Sequence, residues 1–255
     1  CEPVDEAVVE LLIYIDCLRR ASARRITAVV PYFGYARQDR KDEGRVPITA
    51  KLMANMITTA GADRVVAVDL HAQQLQGFFD IPVDHLTGEI VLSRYFRDKK
   101  LENLVVVSPD VGNIKMASRY ASHLGAGLAI IHKKRVSGKD VEAAEVIGHV
   151  EGKNILMCDD IIATAGTMCS AARLLKERGA LRIYCGGTHG VFAGPAVERL
   201  SEAPIDEVVV TNSIPLNGQA QNLDTIKVLS IASMLGETIK RIHRNESVSA
   251  LFGMD

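Results

Sequence analysis

Short apolar segments alternate with amphipathic stretches along most of the chain. Residues 4–21 carry apolar side chains at helical spacing, which predicts a helix with one buried face. The same pattern predicts helices at 48–60, 89–97, 113–124, 168–178, from Pro195 and within 226–243. It predicts strands at 26–30, 64–68, 104–107, 127–131, 155–158, 181–186, 207–211 and at the start of 226–243, with a strand pair bridging 142–157. Because buried strands separated by helices require a parallel sheet with covered faces, the predicted fold class is α/β.

The alternation is interrupted at residues 77–84, which contain Gly77 and Pro82. This segment predicts an N-terminal domain at 1–84 and a C-terminal domain at 85–255, with a last helix available to pack back on the first domain. The two halves share one order of elements, so we expect two copies of one plan, each a mostly parallel sheet flanked by helices. Since the chain opens without Met and leads at once into a helix, we expect an upstream part of the first domain.

Composition narrows the classes of partner. With 47% hydrophobic residues, 24% charged residues and a net charge of −1, the chain has no bulk reason to bind nucleic acid or membrane. It contains neither an apolar run of membrane-spanning length nor a signal peptide, which favours the cytoplasm. Its five cysteines are odd in number and lack metal-type spacing, so we expect reduced thiols. Any affinity for phosphate must therefore be local.

Residues 155–167 combine a buried strand, two acids and a turn of small residues. The turn Thr164-Ala165-Gly166-Thr167 precedes the helix predicted at 168–178, and N–H groups at a helix start suit a phosphate. The carboxylates of Asp159 and Asp160 would repel a phosphate and instead suit sugar hydroxyls or a metal. A phosphosugar fits both the turn and the acid pair. The alternative interpretation of residues 155–167 is a purely structural strand and turn.

A charged loop follows the strand at 26–30. Arg37 offers bidentate contact to phosphate and Gln38 can contact a base edge, so this loop is a candidate nucleotide site. The alternative for the charged run 37–42 is a solvated face. Its position after a buried strand favours nucleotide binding.

Further polar residues follow two other strands. Asp69 and His71 come after the strand at 64–68, where strand alternation would aim both to one side. Asp110 follows the strand at 104–107. His71 and Asp110 could hold Mg²⁺ with several waters, although a lone histidine is more often structural.

Residues 132–140 contain four cations in nine positions. One interpretation is a mobile, solvated loop. The other is a lid that brings Lys133 and Arg135 to a transferring phosphoryl group, where charge stabilisation matters more than a nucleophile.

Residues 69–84 closely resemble the signature of the ribose-phosphate pyrophosphokinases, also called phosphoribosyl-pyrophosphate synthetases. Residues 155–167 resemble the phosphosugar loop of the type I phosphoribosyltransferase fold. The similarity extends over essentially the whole chain. Further matching segments are 35–39, 108–110, 133–135, 188–189, 213–216 and 246–252.

This resemblance implies two tandem phosphoribosyltransferase-like domains and a defined reaction. The enzyme would transfer the β,γ-diphosphoryl group of ATP to the 1-hydroxyl of ribose 5-phosphate, giving 5-phosphoribosyl 1-diphosphate and AMP with Mg²⁺. Members of the family assemble from dimers into larger rings, commonly hexamers. The expected partner is therefore another copy of the chain.

Site residues follow from the resemblance by position. The ATP site would comprise Arg37, Gln38 and Asp42, and the metal would be held by His71 and Asp110. Ribose 5-phosphate would be bound by Asp159, Asp160, Thr164, Ala165, Gly166 and Thr167. Lys133 and Arg135 would stabilise the transferring group electrostatically.

The chain departs from the family pattern at several places. Ala163 stands where many members have a third acid, and Asn113 where many have a second glycine. An upstream adenine-contacting segment of the family, Phe-Ser-Asp-Gly-Glu, is absent from this sequence. Two other functions are therefore considered: a phosphoribosyltransferase, and a non-catalytic regulatory subunit of a synthetase assembly. The former has no need for the segments 37–38 and 69–84, and the retained charged residues argue against the latter.

Overall fold

The computed structural model describes residues 3–41, 43–135, 142–216 and 218–252, and for 133–135, 142–144 and 252 the backbone alone. Its helices are α1 Val4–Arg20, α2 Thr49–Ala60, α3 Glu89–Asp98, α4 Ile114–Leu124, α5 Gly166–Glu177, α6 Ala196–Glu202 and α7 Ala232–Arg244. Its strands are β1 Thr27–Val30, β2 Arg64–Val68, β3 Val83–Leu86, β4 Leu104–Ser108, β5 Gly127–Arg135, β6 Glu142–Ile147, β7 Asn154–Ile162, β8 Arg182–Gly190, β9 Glu207–Thr211 and β10 Ile226–Leu229. Short 3-10 helices lie at Gln73–Phe78, Gly218–Asn222 and Ser249–Phe252.

The chain divides into two compact units. The first comprises Cys1–Gly88, Ser213–Pro215 and Ser233–Asp255, and the second comprises Glu89–Asn212 and Leu216–Ala232. The first has a sheet of order β1-β2-β3, and the second a sheet of order β10-β9-β8-β7-β4-β5-β6. In the described residues every strand pair is parallel except β5 with β6, so the predicted α/β class with mostly parallel sheets is confirmed. The predicted domain break at residue 84 falls inside β3, which pairs with β2.

The core of the first unit forms where α1 and α2 cover its sheet. On the predicted buried face of α1, Ile15 is 2% exposed, whereas Leu18 is 46% exposed, so burial ends before the last turn. Ala50, Ala54 and Ile57 form the buried face of α2. This helix ends as predicted at Gly61, whose φ of 117° favours glycine.

The second unit has a topological switch point between β4 and β7. From β4 the chain continues to β5 on one side of β4 and later returns to β7 on its other side. The strands β4 and β7 are paired from Leu104↔Asn154 to Val106↔Leu156 and no further. In parallel sheets, ligands bind at the carboxyl ends of the strands where the strand order reverses. The expected ligand crevice of this unit therefore lies at the ends of β4 and β7.

β7 is longer than its apolar run. It stays paired with β8 as far as Ile162↔Gly190, so Asp159 and Asp160 lie within the strand. The expectation that the strand ends at residue 158 is wrong because the β8 partner supports four further residues, charged ones included. The following helix α5 also begins earlier than predicted, at Gly166.

Residues 132–135 form a strand as well. β5 continues to Arg135 and pairs antiparallel with β6, with Lys133 opposite Ala144 and Arg135 opposite Glu142. The prediction of a loop over 132–140 is therefore wrong for its first four residues, because β6 extends the ladder. Residues 136–141 lie outside the described residues, and so does any lid that they form.

Candidate active site

Asp110 lies in the turn that follows β4, at the switch point of the second unit. The Ser108 hydroxyl donates to the Asp110 carbonyl at 2.7 Å, and the Asn113 backbone N–H donates to Asp110 Oδ1 at 3.0 Å. Asn113 Nδ2 also donates to the carbonyl of Cys158 on β7 at 2.8 Å. Asn113 thus links the Asp110 turn to the strand residue that precedes Asp159.

Asp159 is a partly buried carboxyl group on β7 with a strongly shifted pKa. Burial, which is the largest cause, acts together with the hydrogen bond and charge of Asp160 and, to a smaller extent, the charge of Asp110 to raise its pKa to about 8. The Asp160 backbone N–H donates to Asp159 Oδ1 at 2.9 Å and opposes this rise. At neutral pH Asp159 is therefore largely protonated and can donate as well as accept hydrogen bonds.

The predicted phosphate turn connects β7 to α5. Ala165 has φ 55° and ψ 4°, in the left-handed region, and Gly166 begins the helix. Thr164 and Thr167 are exposed. Because the first N–H groups of a helix have no partner inside the helix, those of Gly166 and Thr167 are suited to an anion.

The carbonyl groups of Ile162, Ala163 and Thr164, which lead into this turn, are bound by one later segment, residues 191–199. The backbone N–H groups of residues 191–193 donate to the carbonyls of Ile162 and Ala163 at 3.0 to 3.1 Å. Arg199 of α6 donates through Nη1 to the carbonyl of Thr164 at 3.0 Å. The peptide units that lead into the turn are therefore held by their carbonyls, which directs the N–H groups of residues 163–165 away from that segment.

In the first unit, Arg37 and Gln38 lie together after β1. They line a cavity of about 330 Å³. The Gln38 backbone donates to the Tyr35 carbonyl at 2.9 Å and accepts from the Ala50 N–H of α2 at 3.2 Å, which fixes the loop to the helix. The other lining residues are Arg40, Glu43, Val46 and Pro47. The structure thus brings the predicted Arg37 and Gln38 to one concave surface, whereas Asp42 lies outside the described residues.

His71 follows a turn, and the predicted alternation of Asp69 and His71 is wrong. β2 ends at Val68, and Asp69 adopts φ 38°, so the backbone is no longer extended there. Asp69 Oδ2 instead accepts from the Gly88 N–H at 2.8 Å. His85 holds the same turn by accepting from the Leu70 N–H through Nε2 at 3.0 Å.

The sequence did not predict a role for two residues of the site, Asn113 and Arg199. Asn113 was noted only because many family members have glycine there, and Arg199 was not considered. Arg199 contacts a residue 35 positions earlier, and no local spacing signals such a contact. The predicted Lys133 and Arg135 lie on β5, where the backbone alone is described.

A parallel sheet whose switch point carries carboxylates beside a turn at a helix start defines a class of α/β proteins that bind phosphorylated ligands at this edge. Comparison with known proteins narrows the class. Residues 1–61 match the family described as the N-terminal domain of ribose phosphate pyrophosphokinase, and residues 135–253 match the phosphoribosyl synthetase-associated domain.

Individual relatives agree with these family matches. A ribose-phosphate pyrophosphokinase of Rhodopirellula baltica is 56% identical over 255 residues, which cover 99% of this chain and 80% of the relative. That of Caldanaerobacter subterraneus is 54% identical over 253 residues, with 99% and 80% covered. The crystal structure of phosphoribosylpyrophosphate synthetase from Mycobacterium smegmatis superposes with a TM-score of 0.87 at 44% identity, covering 96% of this chain and 80% of that one.

The chain belongs to the ribose-phosphate pyrophosphokinase family. The resemblance that residues 69–84 and 155–167 suggested is thereby confirmed, and so is the predicted enzyme class, a transferase. The two other functions, a phosphoribosyltransferase and a non-catalytic subunit, are not favoured by these relatives.

The raised pKa of Asp159 predicts a pH-dependent stability. An aspartate has a pKa of about 3.9 in an unfolded chain, whereas that of Asp159 in the folded protein is about 8. Between these two values the unfolded state loses its proton and the folded state keeps it, so the free energy of unfolding falls as pH rises from about 4 to about 8. Asp159→Asn removes this penalty. We expect the variant to melt roughly 5 °C or more above the unsubstituted protein at about pH 8.5 and within roughly 2 °C of it at about pH 4.

Calorimetric melting at both pH values measures this difference. Asp98→Asn, which removes an exposed carboxylate of α3, is the control for loss of one charge. A melting difference for Asp159→Asn that is the same at both pH values would contradict the assigned pKa.

Proposed function

We propose that this chain transfers the β,γ-diphosphoryl group of ATP to the 1-hydroxyl of ribose 5-phosphate. The 1-hydroxyl oxygen attacks the β-phosphorus, the bond to the oxygen that bridges to the α-phosphorus breaks, AMP leaves and the hydroxyl proton goes to solvent. The observation that carries this proposal is the turn at 164–167, which is held through the carbonyls of Ile162, Ala163 and Thr164 and follows Asp159 on β7.

Ribose 5-phosphate is assigned to the second unit. Thr164, Ala165, Gly166 and Thr167 bind the 5-phosphate through backbone N–H groups and hydroxyls. Asp159 and Asp160 bind the ribose hydroxyls, which a partly protonated carboxyl pair can do as both donor and acceptor. The absence of an acid at position 163 leaves this pair as the carboxyl groups of the loop.

ATP is assigned to Arg37, Gln38 and Asp42 of the first unit. The cavity of about 330 Å³ that Arg37 and Gln38 line supports this assignment. A guanidinium group can contact a phosphate or stack on a base, and an amide can contact the base edge. The backbone bonds of Gln38 hold this loop against α2 before ATP binds.

Magnesium is assigned to His71 and Asp110. Within the described residues, no three or more His, Cys, Asp or Glu side chains form a group that could hold a metal ion. This fits Mg²⁺, which is usually bound by one or two carboxylates, several waters and substrate phosphates. Asp110 meets that requirement, because its carboxylate lies at the switch-point crevice and its Oδ1 is oriented by the Asn113 N–H. When bound, Mg²⁺ would neutralise negative charge on the triphosphate.

Lys133 and Arg135 are assigned to charge stabilisation of the transferring group. Phosphoryl transfer depends on positioning and on cations near the developing charge more than on a covalent step. Both residues belong to β5, so an ordered strand supports them up to the edge of the described segment.

The chain is further proposed to act in the cytoplasm as a homo-oligomer, a hexamer built from dimers, without nucleic acid or membrane partners. The cysteines among the described residues, Cys17, Cys158, Cys169 and Cys185, are free thiols, in keeping with a reducing compartment. None of the described helices has the length and apolar character that a membrane crossing requires.

The nucleotide product, AMP or ADP, distinguishes this diphosphoryl transfer from the transfer of a single phosphoryl group. With ATP, Mg²⁺ and ribose 5-phosphate, we expect AMP in amounts equal to 5-phosphoribosyl 1-diphosphate, because the attack is on the β-phosphorus. Anion-exchange chromatography of the quenched reaction measures both products. Formation of ADP in place of AMP would exclude the proposed transfer.

Lys133→Ala tests the assigned electrostatic role. We expect kcat to fall by about 100-fold or more with an unchanged melting temperature, since the lost cation would act on the transition state. Lys227→Ala on the edge strand β10 removes the same charge from an exposed position and should leave kcat within about threefold. Steady-state kinetics and thermal melting on both variants measure these effects. A fall in kcat of Lys133→Ala that is accompanied by a matching fall in its melting temperature would refute the role.

A further inference from the structure

The turn that is proposed to bind the 5-phosphate is held by two kinds of donor. The carbonyls of Ile162 and Ala163 accept from backbone N–H groups of residues 191–193, which any residue type except proline would supply. The carbonyl of Thr164 accepts from the side chain of Arg199. Only this last bond depends on the identity of a side chain, and Thr164 is also the first residue of the turn itself.

Arg199 is packed closely against the start of α5. A Cβ atom placed on Gly166 would lie 3.2 Å from Arg199 Nη1. The guanidinium group therefore lies against the backbone of two residues of the turn, Thr164 and Gly166. Arg199 reaches them from α6, which begins three residues earlier, at Ala196. A peptide unit whose carbonyl is fixed on one side presents its N–H group on the other, because the peptide bond is planar and trans.

We propose that Arg199 is a positioning residue for the 5-phosphate of ribose 5-phosphate: its bond to the Thr164 carbonyl sets the N–H group of the same peptide unit, that of Ala165, toward the phosphate and holds the backbone that leads into the N–H groups of Gly166 and Thr167. This inference rests on the proposed assignment of ribose 5-phosphate to the turn. It adds a residue from a separate helix to that site, and this residue acts through the backbone and not by touching the sugar.

Charge is a competing explanation, and the chain offers a matched control for it. Burial raises the pKa of the Cys169 thiol, and the charges of Arg173 and Arg199 both oppose that rise. Both arginines therefore act electrostatically on the same part of α5. Arg173 is an exposed residue of α5 for which the structure gives no bond to the turn. If Arg199 acted through charge alone, removing Arg173 would have a comparable effect.

The test compares Arg199→Met, Arg199→Lys and Arg173→Met by calorimetric titration with ribose 5-phosphate and, separately, with ATP. We expect Arg199→Met to raise the Kd for ribose 5-phosphate about tenfold or more, since a hydrogen bond from a charged donor is lost. The Kd for ATP should stay within about twofold. Arg173→Met should change the Kd for ribose 5-phosphate by less than about threefold, and Arg199→Lys should lie between Arg199→Met and the unsubstituted protein.

Three outcomes would overturn the inference. The first is equal weakening by Arg199→Met and Arg173→Met, which would assign the effect to charge. The second is a lower melting temperature in Arg199→Met with both Kd values unchanged, which would make the bond merely structural. The third is an Arg199→Lys variant that binds ribose 5-phosphate as tightly as the unsubstituted protein, and it decides the matter even if Arg199→Met does not fold.

The same titration separates failure of this inference from failure of the proposed function. If the unsubstituted protein does not bind ribose 5-phosphate, the assignment of the sugar is wrong and the inference falls with it. If the unsubstituted protein binds ribose 5-phosphate and Arg199→Met binds it equally, the proposed function stands and the inference alone is wrong.

Discussion

The candidate site depends on the direction in which one turn presents its peptide groups. Three successive carbonyls, those of Ile162, Ala163 and Thr164, accept hydrogen bonds from the loop that follows β8 and from Arg199 of α6. With these carbonyls bound on one side, the N–H groups of the same peptide units, those of residues 163–165, face the other. They lead into the first N–H groups of α5, where an anion gains from several donors and from the helix dipole. The glycine at position 187 of β8 leaves room for the side chain of Ile162, because a Cβ on Gly187 would lie 2.6 Å from Ile162 Cγ1.

The divergence of β4 and β7 supplies the second half of the site. Pairing of these strands stops at Leu156, and beyond that point Asn113 bridges the gap by donating to the Cys158 carbonyl. Two carboxyl groups, Asp110 and Asp159, flank this bridge, and their proximity contributes to the raised pKa of Asp159. Clustered, partly desolvated carboxyl groups are unfavourable in the free protein and are relieved by a polyhydroxyl ligand or a cation, which fits a phosphosugar site beside a metal.

The strand, turn and helix around residues 155–167 could be predicted because local signals agree there: an apolar run, two acids, small residues and a helical pattern. Partners elsewhere in the chain decided the rest. β8 lengthens β7 past its apolar run, β6 lengthens β5 to Arg135, and the left-handed φ of Asp69 ends the alternation assumed for His71. Arg199 could not be found from spacing, since its contact with the turn arises only after α6 packs near α5.

The central claim is that the N–H groups of the turn bind the 5-phosphate, and amide hydrogen exchange measures this most directly. With saturating ribose 5-phosphate, the account predicts slower exchange in the peptide that covers residues 164–168, while unphosphorylated ribose at the same concentration leaves that peptide unchanged. Slowed exchange elsewhere in the second unit, with none at 164–168, would contradict it.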